Sequence, residues 1–295
     1  MLTLSLPALG LSLACAVAYS ASDYFRKSVP LDCPVALTLF YAFALEIPVI
    51  AVWLWVSGDV RLTAGYVLPG LAAAAIGLAA NMLFVVAVRR SPLSLMVQMM
   101  GLIPVLTSLA SGALLGEWPQ ARQTAGIVLV AAGLFTLYIP PGKGFSPGAV
   151  WRNLWREPGA APMMAVTVLW SIGPPVDKLC LAQASVGFHA LVQLFVLWAA
   201  SGLWVLSRGG PRALAPHGPA FNPLMGVALT AGLGYGLQLS AYSITLVALV
   251  ELFKRSLGLV GALILGRVFF GEPITGPKLA GIAIMAVGLQ LVLLS

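Results

Sequence analysis

VALVELFKRSLGLVGALILGRVFFGE, residues Val247–Glu272, is long and apolar enough to cross a bilayer, yet Glu251, Lys254 and Arg255 stand well inside it. A spanning helix needs about 20 predominantly apolar residues. Each charge at that depth costs at least a few kcal/mol, so such residues are rarely idle. Glu251 and Lys254 are three apart and can share a helix face. Arg255, the next residue, is turned away by about 100°. The rest of the chain has to explain why a buried helix keeps these three.

Composition sets the class. The chain has 295 residues, 60% hydrophobic and only 8% charged. A soluble domain carries about 25% charged residues and has no core able to hide this much apolar surface. A polytopic membrane protein is expected. The net charge of +7 comes from 16 Lys and Arg scattered between apolar runs. There is no basic cluster or stacking platform, so no nucleic-acid partner is implied. The three cysteines, Cys15, Cys33 and Cys180, form no CxxC and no metal-ligand spacing, so neither a metal nor a cofactor is expected. The first apolar run has no positive residue ahead of it and is followed by nine more, which reads as a retained helix rather than a signal peptide.

Apolar runs of spanning length fall near 6–25, 35–56, 66–88, 94–116, 122–140, 162–182, 188–206, 223–244, 247–270 and 277–294. Ten helices therefore fill the chain. Most connections are short, but 141–161 is longer and carries Lys143, Trp151, Arg152, Trp155 and Arg156. Basic and aromatic residues suit an interfacial helix at headgroup depth. That connection also separates two halves that repeat. Gly116-Glu117 recurs as Gly271-Glu272, and Gly126 and Gly133 recur as Gly281 and Gly288, all at an offset of 155. Tyr19 and Lys27 recur as Trp170 and Lys178 at an offset of 151. The expected domains are residues 1–140, a connecting loop 141–161, and residues 162–295. Five helices per half force the second half to cross in the opposite sense, an inverted repeat.

Lys and Arg set the orientation. Eleven of them, among them Arg26, Arg89, Arg152 and Arg212, fall on one side, against Arg61, Arg122 and Lys178 on the other. The positive-inside rule places both termini outside the cytoplasm.

Ten helices in two halves, an aromatic-x7-Lys at the start of each half and a Gly-Glu turn before each fifth helix resemble the EamA-type drug/metabolite transporter superfamily. The resemblance covers nearly the whole chain and rests on duplicated placement rather than on any single motif. It implies a secondary transporter in the cytoplasmic membrane of a bacterium. Such a protein would move a small polar metabolite by alternating access, with a central cavity between the two repeats. Lys254-Arg255 looks like the Lys-Arg pair on the penultimate helix of triose-phosphate and nucleotide-sugar translocators, where it faces the substrate. Ten-helix bacterial relatives usually keep both termini in the cytoplasm, whereas the charges of this chain favour the reverse.

Candidate residues follow. Lys254 and Arg255 suit a phosphate or carboxylate, while Glu251 either neutralises them or joins the site. Glu46, in the middle of helix two, is a candidate for proton coupling together with Glu251; the alternative is an ion pair with Lys254 or Arg255. Lys27 and Lys178 close the first helix of each half, where they either gate the two entrances or snorkel to headgroups. Glu117 and Glu272 read as caps of helices five and ten. Tyr41, Asn81, Gln98, Trp170, Tyr235 and Gln238 could line a wet aromatic pocket or make interhelical hydrogen bonds. Pro104, Pro174 and Pro175 mark places where helices can bend. The expected partners are a small-molecule substrate and membrane lipid, with one pathway enclosed in a monomer. An enzyme is not expected, because no HExxH, GxSxG or paired Asp motif occurs and His189 and His217 read as isolated. A flippase for a phosphate-headed lipid, using the same Lys254 and Arg255, is the alternative.

Overall fold

The computed structural model describes residues 5–30, 32–90, 99–136, 148, 155–215, 218–270 and 275–294. Among them are ten α-helices: α1 (Leu6–Lys27), α2 (Val35–Ser57), α3 (Val67–Arg90), α4 (Ile103–Leu115), α5 (Ala121–Thr136), α6 (Ala160–Gln183), α7 (Val186–Gly209), α8 (Phe221–Ile244), α9 (Val247–Phe270) and α10 (Gly276–Leu293). Each falls on an expected span. The described residues hold no β-strand, only one isolated bridge between Leu62 and Ala184. The fold is all-α and polytopic. Six helical spans are long and apolar enough to cross a membrane by length and composition; α9, with four charged residues, is not one of them.

Helix packing groups the chain into two compact units. One comprises Ala79–Pro175 and Thr245–Ser295, the other Leu6–Leu78 and Val176–Ile244. The division passes through α3 after Leu78 and through α6 after Pro175. Each unit of packing therefore draws on both halves of the chain.

In the first unit α5 lies on α10 through the repeated glycines. A Cβ on Gly126 would sit 2.5 Å from the Gly288 carbonyl oxygen, and one on Gly133 would sit 2.8 Å from that of Gly281. Only glycine lets the two backbones come this close. As numbering rises along α5 the facing residue falls along α10, so the helices are antiparallel. Gly126 and Gly281 are repeat equivalents, as are Gly133 and Gly288, so exchanging the repeats maps the contact onto itself. Equivalent helices running oppositely are what inversion of the second half requires.

In the second unit α2 and α7 are likewise equivalent and antiparallel: Phe40 packs at Gly202 and Leu54 at Gly187. α2 runs parallel to α8, with Val49 at Gly232 and Trp53 at Gly236. These directions agree with ten successive crossings.

Helix ends follow local chemistry. Gly58 and Gly116 close α2 and α4 in the left-handed region, at φ +62° and +70°, and their N–H groups bond back to the last turn. Gln123 Oε1 accepts from the Gln120 N–H at 2.9 Å, which caps α5. The cap expected from Glu117 goes elsewhere: its Oε2 accepts from the Val247 N–H at 3.3 Å, in the first turn of α9. Glu272 lies outside the described residues.

Proline placement is also particular. Pro48, Pro174 and Pro175 sit inside helices. Pro104 does not bend one. Met99 and Met100 are helical, Gly101 and Leu102 form a turn, and Pro104 occupies the first turn of α4. There its missing N–H costs no helical bond. α9 is continuous at the equivalent positions. Most of 141–161, including the expected interfacial helix, lies outside the described residues; Trp155 and Arg156 are described and exposed. All three cysteines are buried thiols, as packing residues would be.

Candidate functional site

The first unit holds a charge cluster on a single turn of α9. Glu251 is fully buried, and its two oxygens meet the two cations that follow. Lys254 Nζ donates to Oε1, and Arg255 Nε stands 3.8 Å from Oε2. The spacings i,i+3 and i,i+4 make these neighbours on a helix surface. Lys254 and Arg255 remain 13% and 24% exposed, so the carboxylate is sealed while its partners reach outward. One acid against two bases leaves a net charge of +1.

Arg255 has donor capacity to spare. Its Nε is buried and makes no hydrogen bond among the described residues. Its guanidinium carbon lies 5.8 Å from the centroid of the Trp170 ring, within cation–π range. Trp170 in turn tilts against Phe84 at 5.2 Å. Both rings pack on an apolar cluster of Ala87, Met99, Ala160, Met163 and Val166. The result is a cation above an aromatic floor, a surrounding in which the field of a fixed charge is screened less than in water. A planar guanidinium so placed suits a carboxylate or phosphate.

The remaining candidates from the sequence are dispersed. Asn81 belongs to the same unit and is partly buried. Gln98 lies outside the described residues. The second unit contains Tyr41, whose hydroxyl donates to the Leu214 carbonyl at 2.6 Å, and Gln238, whose Nε2 donates to the Tyr242 hydroxyl at 2.7 Å. Tyr235 and Lys178 are partly buried there, and Lys27 ends α1. Glu46 is buried on α2, at helical spacing from Val49 and Trp53, which meet α8. The charge of Arg26, near the end of α1, acts on its carboxylate.

One polar cluster had no counterpart in the sequence reading. His189 was expected to be isolated; it is fully buried and bonded at both ring nitrogens. Tyr66 Oη lies 2.9 Å from Nδ1, and Asp177 Oδ1 lies 3.3 Å from Nε2. Gln193 Nε2 reaches both the Tyr66 hydroxyl, at 3.3 Å, and the Gly70 carbonyl, at 3.1 Å. Asp177 stands next to Lys178 toward the end of α6. The signal that could have found the cluster is the α6–α7 hairpin, which brings residues on either side of Ser185 together. The described residues contain no group of three or more His, Cys, Asp or Glu able to hold a metal ion.

Among the described residues are ten helices, six of them apolar enough to cross a membrane, with α5 and α10, and α2 and α7, packed antiparallel, as in a polytopic membrane protein. Residues 6–139 match the model of the EamA-like transporter family. This part of the chain is thus similar to the EamA-like transporters of the drug/metabolite superfamily. Its fold is similar to that of a solved structure described only as "Crystal structure of protein", with a TM-score of 0.76 at 19% identity, covering 97% of this chain and 96% of the other. Comparison with the curated proteins gives no match.

Proposed function

We propose that the protein is a secondary transporter for a small anionic metabolite, carrying a carboxylate or phosphate, and that the α9 cluster recognises the anion. The observation that supports this most is Arg255: partly exposed, placed over Trp170, and with an Nε that makes no hydrogen bond among the described residues. Glu251 holds Lys254 and Arg255 at a net +1, enough to attract one anionic group without leaving two bare cations in the membrane. Binding then neutralises the cluster, and a neutral complex crosses a low-dielectric interior at lower cost than a charged one.

In this reading transport proceeds by alternating access. The prolines of α6 and the break before α4 supply the backbone freedom. Glu46 and Glu251 are coupling candidates, and Lys27 and Lys178 gating candidates. The protein sits as a monomer in a bacterial cytoplasmic membrane with both termini outside the cytoplasm. A thermal-shift screen of purified protein against amino acids, organic acids, phosphorylated metabolites and amines should single out anions. Counterflow of the best ligand in proteoliposomes then tests the site: Lys254→Ala, correctly inserted, should lose most transport, and full retention would overturn the assignment.

A further inference from the structure

The cluster around His189 has a proton arrangement that its hydrogen bonds determine. The Gly70 carbonyl can only accept, so the nitrogen of the Gln193 amide faces it, and the same nitrogen donates to the Tyr66 hydroxyl oxygen. With the Tyr66 O–H directed at His189 Nδ1, 2.9 Å away, that nitrogen is bare. The ring proton then sits on Nε2 and is donated to Asp177 Oδ1. This is a neutral imidazole against a carboxylate, with a net charge of −1 and one vacant proton position.

What the cluster touches gives that position a consequence. Tyr66 ends the α2–α3 connection, which is clasped to the α6–α7 connection by backbone bonds: Thr63 N–H to the Gln183 carbonyl and Ser185 N–H to the Arg61 carbonyl, each at 2.9 Å. The Arg61 guanidinium adds a bond to the Leu181 carbonyl at 3.1 Å, and the Thr63 hydroxyl bonds the Gln183 side chain. Gly70 leaves room for the Tyr66 ring, since a Cβ there would lie 2.6 Å from it.

We propose that Asp177 and His189 form a proton-binding site whose occupancy is passed through Tyr66 to this clasp. The proton adds to Nδ1, giving an imidazolium against the Asp177 carboxylate and a net charge of zero. Nδ1–H now donates to the Tyr66 oxygen, so the Tyr66 O–H must turn away from the ring and give up its buried acceptor, and this exchange weakens the anchor of the clasp. The groups around the site are consistent with a single exchanging proton. α6 presents Asp177 and Cys180, with Lys178 next in the chain, and the α2–α3 connection presents Tyr66 and Arg61. α8 presents Tyr235 toward Asp177 and Tyr66, with Tyr19 of α1 behind it, and α7 presents Gln193. α2 meets α7 through Phe40 at Gly202 and Leu54 at Gly187. The proton site goes beyond the transport reading and stands without it; only its use as the coupling site of transport rests on that reading.

The chain has two histidines, so His217→Ala leaves His189 as the sole imidazole. In that protein, ¹⁵N NMR of labelled histidine should show Nε2 protonated and Nδ1 bare at high pH, with both protonated in mild acid. Over the same range, amide exchange at Thr63 and Ser185, corrected for its intrinsic pH dependence, should accelerate by about tenfold as the clasp opens locally. His189→Gln should abolish the acceleration. Should that variant fail to fold, Tyr66→Phe decides: His189 still titrates but exchange no longer follows it. A histidine that stays neutral throughout, or acceleration that survives in Tyr66→Phe, overturns the proposal.

Discussion

The two buried polar clusters are built on opposite plans. On α9, Glu251, Lys254 and Arg255 occupy one turn of one helix, carry a net +1, and leave an Arg255 donor without an acceptor. In the second unit, Tyr66, Asp177, His189 and Gln193 come from three segments, and each of the four side chains is hydrogen-bonded to another of them. A cluster with spare donor capacity is suited to taking up a solute that enters and leaves. One closed on itself is suited to holding backbone segments together and to exchanging something as small as a proton. The two proposed roles, recognition and conformational control, follow this contrast.

Substitutions test that separation, and the largest effect is expected at Glu251. Glu251→Ala leaves two cations in the helix with no acid, and breaking a buried pair in this way costs on the order of 3–5 kcal/mol. Thermal unfolding in detergent should show a large fall in Tm; an unchanged Tm would mean that Glu251 does not hold the cluster. Next is His189→Phe, which keeps an aromatic ring but strands the Tyr66 hydroxyl and Asp177. Its cost should be about 1–3 kcal/mol, the penalty of an unsatisfied buried polar group. Gln193→Leu removes one donor from the same cluster and should cost about 0.5–1.5 kcal/mol, the range of a single hydrogen bond. A Gln193→Leu effect larger than that of His189→Phe would put the centre of the network on the amide instead. Arg122→Ala serves as the reference outside both clusters. Its guanidinium bonds the exposed Leu294 carbonyl at 3.4 Å, and the change should stay within about 0.5 kcal/mol.

The same contrast explains what the sequence revealed. Helix periodicity makes residues three and four apart neighbours before any tertiary structure is known, so the α9 cluster was legible from Glu251, Lys254 and Arg255 alone. The glycines at 126, 133, 281 and 288 were legible as a repeat. That they face one another across an antiparallel crossing needed the packing. His189 was read as isolated because its partners lie 12 residues away at Asp177 and 123 away at Tyr66, distances over which neither periodicity nor spacing constrains contact. Glu117 was assigned to the nearest helix in the chain, whereas the nearest unsatisfied N–H in space belongs to Val247, 130 residues on. Local rules found the charges, and only the fold could find the network.

The equivalence of α4 and α9 sharpens the point. Met99 and Met100 stand where the repeat puts Lys254 and Arg255. Met99 is fully buried in the apolar cluster on which Trp170 packs, and the helix breaks just after Met100. The scaffold does not require the basic pair, the proposed site of anion recognition.

The most direct test is therefore the Arg255→Gln variant, which removes the charge and the guanidinium but keeps the length and Glu251. Affinity for the best anion from the ligand screen should be measured alongside the wild type in the same detergent. The account predicts a loss of about tenfold or more, the weight of one charge-assisted bidentate contact, with little change in Tm. Wild-type affinity in Arg255→Gln would contradict it.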